Sequence, residues 1–198
     1  MKKEDLRITK TKRDLRIALI YLLKDLPFEK VTIGDVCEKA MVNRMTFYKH
    51  FKDKYDLLEQ TIDYLMMQII QKVTDAVTPV NSFEDFLEFC VALAQTIILE
   101  SAEKKDVFPA LYRSDSGIVY DVMTRTMHQY IKMLVLELSK YKKLKYSLQT
   151  TTEFLSGGVI HLICYWLLHI DDFDKDLFVQ ECATFTREML TSNLFFKD

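Results

Sequence analysis

The chain has 198 residues, 49% of them hydrophobic and 28% charged, with only four glycines and three prolines. Because sheets need turns and turns draw on these two residues, the composition excludes sandwiches, barrels and nucleotide-binding α/β units and favours an all-α protein. The net charge is −2, yet residues 1–54 hold fourteen Lys and Arg against eight acidic residues. This asymmetry indicates either an N-terminal contact with nucleic acid or another anionic surface, or an ordinary solvated face.

The basic N-terminal segment predicts three helices. The first spans about residues 6–26 and carries a stripe of leucines. Thr32 is a predicted N-cap for a short helix over 33–40, and Asn43 caps another over 44–50. Two short helices joined by a tight turn form a candidate helix-turn-helix.

Helical periodicity continues through the rest of the chain and brings the prediction to about nine helices. We predict a three-helix N-terminal domain over residues 1–53 and a larger helical domain over 54–198. The remaining predicted helices cover about residues 54–76, 83–103, 105–113, 117–142, 147–170 and 175–196.

An apolar run of seventeen residues, Phe154–Ile170, carries no formal charge. This length is at the lower limit for a membrane span, but polar residues and a glycine pair interrupt the run. A helix that is apolar all round is equally typical of a protein core or a subunit interface, which is the interpretation we favour.

The third predicted helix has an inward and an outward face. Phe47 and Phe51 are four residues apart and are expected to face the core. The outward face then holds Arg44, Met45, Tyr48 and Lys49. Arginine can pair with the O6 and N7 atoms of guanine, and Tyr and Lys suit phosphates, so this face is typical of a helix that reads a DNA groove.

The segment VTIGDVCEKAMVNRMTFYKHFKDKYDLL, residues 31–58, resembles the DNA-binding signature of the TetR family of bacterial transcriptional regulators. The resemblance covers about 28 residues and is highly specific. The matching positions are Thr32, Ala40, Val42, Asn43, Thr46, Phe47, Tyr48, His50, Phe51 and Lys54. One departure is Met41, which stands where the family usually has glycine for a turn with positive φ.

The resemblance implies roles for residues in this segment. Thr32, Tyr48, His50 and Lys54 would contact backbone phosphates. Arg44 would face the edges of the bases, and so would Asn43, Met45 and Thr46. For Thr46 and His50, capping and packing are the competing interpretation.

The C-terminal two-thirds has methionines and aromatic residues at helical spacings, which suit either a bundle core or an adaptable apolar pocket. Because TetR regulators generally bind a small effector in this domain, the resemblance favours a pocket. The candidate effector-binding residues are Phe89, Phe108, Tyr112, Met127, His128 and Phe154.

The last two predicted helices have apolar residues on more than one face and therefore need two partners, their own domain and a twin subunit. This agrees with the dimer interface that is usual in the family. The candidate interface residues are Gly157, Gly158, Leu162, Trp166, Phe178, Phe185 and Met189.

The sequence therefore predicts a homodimeric DNA-binding regulator, a repressor released by a small effector. Transcriptional activation, a helical protein-interaction module with a degenerate helix-turn-helix, and a membrane-anchored protein are the alternatives. We expect no enzyme activity, since nucleophile elbows and phosphate-binding glycine loops are absent from the sequence, and no cofactor or metal. Four widely spaced cysteines and the lack of an N-terminal apolar signal segment favour a cytoplasmic protein without membrane contact.

Overall fold

The computed structural model describes residues 3–103 and 117–197, and within them it shows eight α-helices and one short 3₁₀ helix, Phe28–Lys30. The all-α prediction is confirmed. The predicted helix 105–113 lies outside the described residues. The helices are α1 (Lys3–Leu22), α2 (Ile33–Lys39), α3 (Arg44–Tyr48), α4 (Lys54–Ala76), α5 (Phe83–Glu103), α6 (Ile118–Tyr141), α7 (Leu148–Leu168) and α8 (Lys175–Thr191).

The chain divides into two compact units. Of the described residues, 3–64 and 117–123 form the first unit, and 65–103 and 124–197 form the second. Helices α4 and α6 each contribute residues to both units. The domain boundary between residues 53 and 54 stays a prediction.

In the first unit, α1, α2 and α3 enclose a small core of leucine, valine and phenylalanine. Helix α1 packs against α2, and α2 packs against α3. Phe47 is 0% exposed, so the inward face predicted for α3 is buried. The other buried members include Leu15, Leu19, Phe28, Val36, Phe51 and Leu57.

The second unit is centred on α5, which packs most extensively against α8 and also against α7. The indole of Trp166 is fully buried and stacks on Phe178 with the ring centroids 4.6 Å apart. Its Nε1 donates a hydrogen bond of 2.9 Å to the hydroxyl of Ser101 on α5. This contact joins α7 to α5.

The end of the last helix differs from the prediction. Helix α8 stops at Thr191, whereas the periodicity predicted a helix to about 196. Beyond it, Phe196 forms an isolated antiparallel bridge with Leu144, and the amide of Lys145 donates a 2.7 Å hydrogen bond to the carbonyl of Phe195. The extended segment buries both phenylalanines, which a continued helix would place on neighbouring faces.

One helix of the described residues, α7, is long and apolar enough to cross a membrane. Half of its most apolar stretch is buried inside the protein. The core helix of a globular bundle has the same length and composition, so α7 is weak evidence for a membrane span.

Candidate nucleic-acid interface and ligand cavity

The turn between α2 and α3 is built around Met41. Its φ is 56°, in the left-handed region, and its side chain is 94% exposed. The amide of Val42 donates a 2.9 Å hydrogen bond to the carbonyl of Cys37, which closes the end of α2. The positive φ that the family's glycine suggested is therefore present with methionine in its place.

Helix α3 begins at a side-chain cap and exposes one polar face. The Oδ1 of Asn43 accepts a 2.7 Å hydrogen bond from the amide of Thr46. Phe47 is buried, whereas Met45 and Tyr48 are 72% and 58% exposed. The side chains that share this exposed face are Arg44, Met45, Tyr48 and Lys49.

The guanidinium of Arg44 lies against the start of α2. A Cβ built on Gly34 would be 2.9 Å from Arg44 Nη2 and 3.3 Å from Thr32 Oγ1. Gly34 therefore leaves the space that this arginine occupies. Sequence reasoning missed Gly34, because the glycine contacts a side chain ten positions away rather than a neighbour.

Thr32 and Asp35 form a complete capping box at the start of α2. The Oγ1 of Thr32 accepts from the amide of Asp35 at 3.2 Å, and the Asp35 carboxylate accepts from the amide of Thr32 at 2.9 Å. The hydrogen bonds from the backbone and side chain of Thr32 lower the pKa of Asp35. This carboxylate holds the Thr32 hydroxyl, with Oγ1 2.7 Å from Oδ2, and it places a negative charge where Thr32 was expected to hold a phosphate.

His50 follows α3 and is half-buried. Burial lowers its pKa first, and the positive charges of Lys12 and Lys49 lower it further. The imidazole therefore lies close to two lysines, one on α1 and one after α3. A phosphate at this place would offset the repulsion between the two lysines and a protonated His50.

Lys54 is directed into the protein rather than towards a phosphate. Its Nζ donates hydrogen bonds of 3.1, 2.9 and 3.0 Å to the carbonyl oxygens of Phe28, Glu29 and Val31. An ammonium has three N–H donors, so these bonds use all of them. In this geometry Lys54 fastens the start of α4 to the 3₁₀ helix, which is a different role from the one that the resemblance implied.

The second unit contains a cavity of about 230 Å³ between α4, α5, α6, α7 and α8. The described residues that line it include no Lys, Arg, His, Asp or Glu. Burial raises the pKa of Cys90 to about 12, so this lining thiol stays neutral. Two candidate effector residues, Phe89 and Met127, line the cavity.

Phe154 and His128, which are also candidate effector residues, are placed elsewhere. Phe154 is 67% exposed and lines an adjoining surface groove of about 530 Å³, which shares part of its lining with the cavity. His128 has its Nε2 3.9 Å from a carboxylate oxygen of Glu153. Phe108 and Tyr112 lie outside the described residues. The structure thus brings Phe89 and Met127 to one cavity and leaves Phe154 and His128 out of its described lining.

The candidate dimer residues fall into two groups. Gly157, Gly158 and Phe185 are exposed, and Leu162 and Met189 are half-buried. Trp166 and Phe178 are buried in their own protomer, at 0% and 6% exposure. The periodicity misplaced these two residues, because an apolar helical stripe does not distinguish a core contact from a subunit contact.

The candidate residues covered only part of a continuous apolar stripe along α7. Phe154, Gly158, His161, Tyr165 and Leu168 recur every three or four residues and are all exposed. Four of them line the surface groove, together with Phe185 and Met189 of α8. The exposed face of α7 therefore joins that of α8 in one apolar surface.

Two capped helices joined by a tight turn, with arginine, tyrosine and lysine on the exposed face of the second, define a helix-turn-helix protein of the DNA-binding type. Residues 20–61 match the family model described as "Bacterial regulatory proteins, tetR family". Residues 20–61 therefore carry the DNA-binding domain of the TetR family.

Among curated proteins, the chain is similar to YxbF of Bacillus subtilis (strain 168), described as an uncharacterized HTH-type transcriptional regulator. The two are 32% identical over 83 residues, and the match covers 41% of this chain and 22% of YxbF. The chain thus aligns with about a fifth of the length of that relative.

Solved structures share the fold over nearly the whole chain. A TetR-family regulator from Syntrophomonas wolfei has a TM-score of 0.69 at 14% identity, with coverage of 94% of this chain and 97% of that one. FadR of Bacillus subtilis has a TM-score of 0.65 at 14% identity, with coverage of 92% and 98%. At these identities the likeness concerns the fold.

Proposed function

We propose that this protein is a sequence-specific DNA-binding transcriptional regulator that acts as a homodimer and responds to a small effector. The observation that carries the proposal is the exposed face of α3, where Arg44, Met45, Tyr48 and Lys49 project from a helix capped and oriented by a TetR-type turn. These aromatic and basic side chains are exposed to solvent, and they match the chemistry of a DNA groove.

Arg44 and Met45 are the proposed contacts to base edges. Tyr48, Lys49 and His50 are the proposed contacts to phosphates. Asn43 and Thr46 first serve to cap α3, and they lie at its N-terminal end, which enters the groove in such motifs. We assign Thr32 and Lys54 to positioning the helices, because their polar atoms already have partners within the protein.

The homodimer proposal rests on the exposed apolar surface of α7 and α8. Phe154 and Phe185 are 67% and 59% exposed, and both line the groove of about 530 Å³. Exposed apolar patches of this kind mark interaction sites. A two-fold dimer would place two α3 helices on successive turns of DNA, about 34–36 Å apart.

The effector proposal rests on the apolar cavity of the second unit. A protein of the same fold, FadR from Bacillus subtilis, was crystallised in complex with stearoyl-CoA, which supports a partly apolar ligand in this architecture. Helix α4 runs from the first unit into the second and gives a covalent route for coupling. We propose that the effector shifts α4 and releases the DNA. Transcriptional activation through the same helix is the alternative.

A DNA-binding regulator with this fold works where the chromosome is, so we propose a cytoplasmic location without membrane insertion. The half-burial of the apolar stretch in α7 favours a core and interface helix over a membrane anchor. Fractionation of cells that express the intact chain would test this: recovery in the membrane fraction contradicts the proposal.

The proposal is tested by capture of random genomic fragments on the purified protein, followed by binding measurements on the enriched duplex. We expect Arg44→Ala to weaken binding by about 1–3 kcal/mol at particular base pairs. Lys143→Ala, which removes an exposed charge from the second unit, is the matched control and should leave binding unchanged. Failure of the wild type to enrich any duplex would reject DNA recognition and favour a protein-interaction module.

A further inference from the structure

The cavity and the surface groove of the second unit have a common wall. Its side chains come from three helices, and each of them lines both the cavity and the groove. They include Ala94 and Ile97 of α5, Val159 and Ile163 of α7, and Thr186 and Met189 of α8. One layer of side chains therefore borders both the proposed effector site and the proposed dimer surface.

The common wall is partly exposed in a single protomer. Ala94, Ile97, Val159, Thr186 and Met189 are all half-buried, although they line the cavity. A ligand in the cavity is thus one side chain away from solvent at this wall. Covering the apolar side of the wall removes it from water, which is favourable.

The surface that adjoins the common wall suits a second copy of the same chain. A two-fold interface brings the same patch of each copy together, so a patch of one charge would repel itself. The groove lining contains no Lys, Arg, Asp or Glu in the part of the chain that the structure describes. This face can therefore meet its own copy without repulsion between like charges.

Two glycines on the same helix favour the same occupant. Gly157 and Gly158 lie inside α7 and are exposed, and a Cβ at either would meet no other part of the protomer within 4 Å. Glycine inside a helix is destabilising relative to alanine, and packing within the protomer does not require it here. Gly158 lines the groove, where the lack of a side chain lets another helix approach closely. In a two-fold dimer, α7 of the second copy is that helix.

We propose that the second copy of the chain forms the outer cover of the effector site, so that effector binding and dimerisation strengthen each other. A ligand in the cavity gives the common wall packing contacts on its inner side, which fixes the surface that the partner meets. The partner in turn excludes water from the outer side of the wall. The inference rests on the proposed homodimer and effector response, and it specifies how the two are coupled: the DNA is released by an intact dimer, through α4.

The test uses the full-length protein with three uncharged probes of increasing size, benzene, naphthalene and biphenyl. Sedimentation of a dilution series gives the dimer dissociation constant without probe and with each probe at saturation. We expect a probe that binds to lower this constant by about 5-fold or more. Calorimetric titrations above and below the dissociation constant should show the probe affinity rising by the same factor on dimerisation, because the coupling of two binding equilibria is reciprocal.

Phe185→Glu gives the same comparison on a monomer. Phe185 lines the groove but not the described part of the cavity, so the variant keeps the described cavity residues. We expect it to bind the probe more weakly than the wild-type dimer by the same factor. Leu136→Glu is the matched control: Leu136 is exposed and is outside the described linings of both spaces, so dimerisation and probe affinity should be those of the wild type.

Cys90→Met tests whether the probe acts from the cavity. Cys90 lines the cavity but not the groove, and methionine extends a longer, flexible side chain into the space. We expect weaker probe binding and a smaller effect of the probe on the dimer. Unchanged binding with an unchanged effect would place the probe outside the cavity and overturn the proposal.

Four other results would overturn it: a probe that raises the dimer dissociation constant, as a ligand seated in the groove would; a bound probe that leaves the constant unchanged; equal affinity for the Phe185→Glu monomer and the wild-type dimer; or binding of no probe. The dilution series decides if Phe185→Glu does not fold. The variant decides if the wild-type dimer does not dissociate on dilution.

Sedimentation of the unliganded wild type and its binding to the enriched duplex are measured in parallel. A dimer that binds the duplex but shows no coupling rejects this inference alone. A wild type that stays monomeric and binds no duplex rejects the proposed function.

Discussion

Lys54 connects two segments that the sequence separates. Its ammonium lies 2.9 Å from the carbonyl oxygen of Glu29, 25 residues earlier, and 4.8 Å from the ring centroid of Phe28. Hydrogen bonds from a charged donor are stronger than neutral ones. The side chain therefore fixes the start of α4 to the turn that precedes α2.

Lys54→Met keeps the aliphatic stem and removes the three charge-assisted hydrogen bonds. We expect the free energy of unfolding to fall by about 2–4 kcal/mol, because three carbonyl oxygens lose their donor. The salt dependence of DNA binding should keep its slope, since no phosphate contact is lost.

Lys49→Met is the matched variant on the exposed face after α3. It should leave stability unchanged and reduce the slope of log K against log salt by about one. Chemical denaturation and binding titrations at several salt concentrations give both quantities. A reduced slope for Lys54→Met with unchanged stability would restore the phosphate role.

His50 makes stability depend on pH. Burial and the neighbouring Lys12 and Lys49 lower its pKa in the folded protein, so the unfolded chain binds this proton more readily. The wild type should therefore lose stability as the pH falls from about 6.5 through the lower folded pKa.

His50→Asn should show a shallower loss of stability between pH 7 and 5, measured by denaturation at each pH. Lys12→Gln should also reduce the loss, because it removes one of the charges that oppose protonation. Equal pH profiles for wild type and His50→Asn would contradict the assignment.

At the scale of the element, the turn between α2 and α3 holds a non-glycine residue at φ 56°. A left-handed backbone is unfavourable by roughly 1–2 kcal/mol for a residue with a Cβ, and glycine loses part of that advantage through its greater freedom when unfolded. The methionine is 94% exposed, so packing does not compensate for the strain.

Met41→Gly should increase the free energy of unfolding by up to about 1 kcal/mol, whereas Met41→Val should decrease it, because a β-branched side chain tolerates positive φ poorly. Met45→Gly is the control: it places glycine inside α3 and should be destabilising by about 1 kcal/mol. Denaturant titrations at equal protein concentration compare the four proteins. Destabilisation by Met41→Gly would mean that the methionine has a contact beyond its backbone.

Helix α7 is apolar on both its exposed and its buried face. For this reason the sequence alone does not distinguish a membrane span from a core helix. Its outward stripe includes Phe154 and Leu168, and its inward face buries Leu167 and Ile163 in the second unit. Apolar residues on both sides produce the composition of a membrane span in a helix that we assign to a core and an interface.

At the scale of the whole molecule, the assembly depends on the joint surface of α7 and α8. Phe185→Glu places a charge in a groove that the proposed dimer desolvates, so it should yield a folded monomer in sedimentation. Leu136→Glu on α6 is the control, since it introduces the same charge at an exposed apolar residue outside the groove and should leave a dimer. A folded dimer of Phe185→Glu would place the interface elsewhere.

The sequence by itself determined the features that depend on close neighbours in the chain. The caps at Thr32 and Asn43 are specified within three residues, so the motif and its exposed face could be predicted from local sequence, whereas the positive φ at Met41 was implied only by the resemblance to the family. The all-α class follows in the same way from composition and periodicity.

Only the tertiary structure decided which apolar and polar groups meet across the fold. The Trp166 indole bonds to Ser101, 65 residues away, and this burial removes Trp166 from the candidate interface. Lys54 has carbonyl partners, Gly34 makes room for Arg44, and the hydroxyls of Thr152 and Ser156 are buried without a hydrogen-bond partner. A helical pattern predicts which side chains are apolar or point inward. It does not identify their partners, because these depend on contacts between distant segments, which periodicity does not encode.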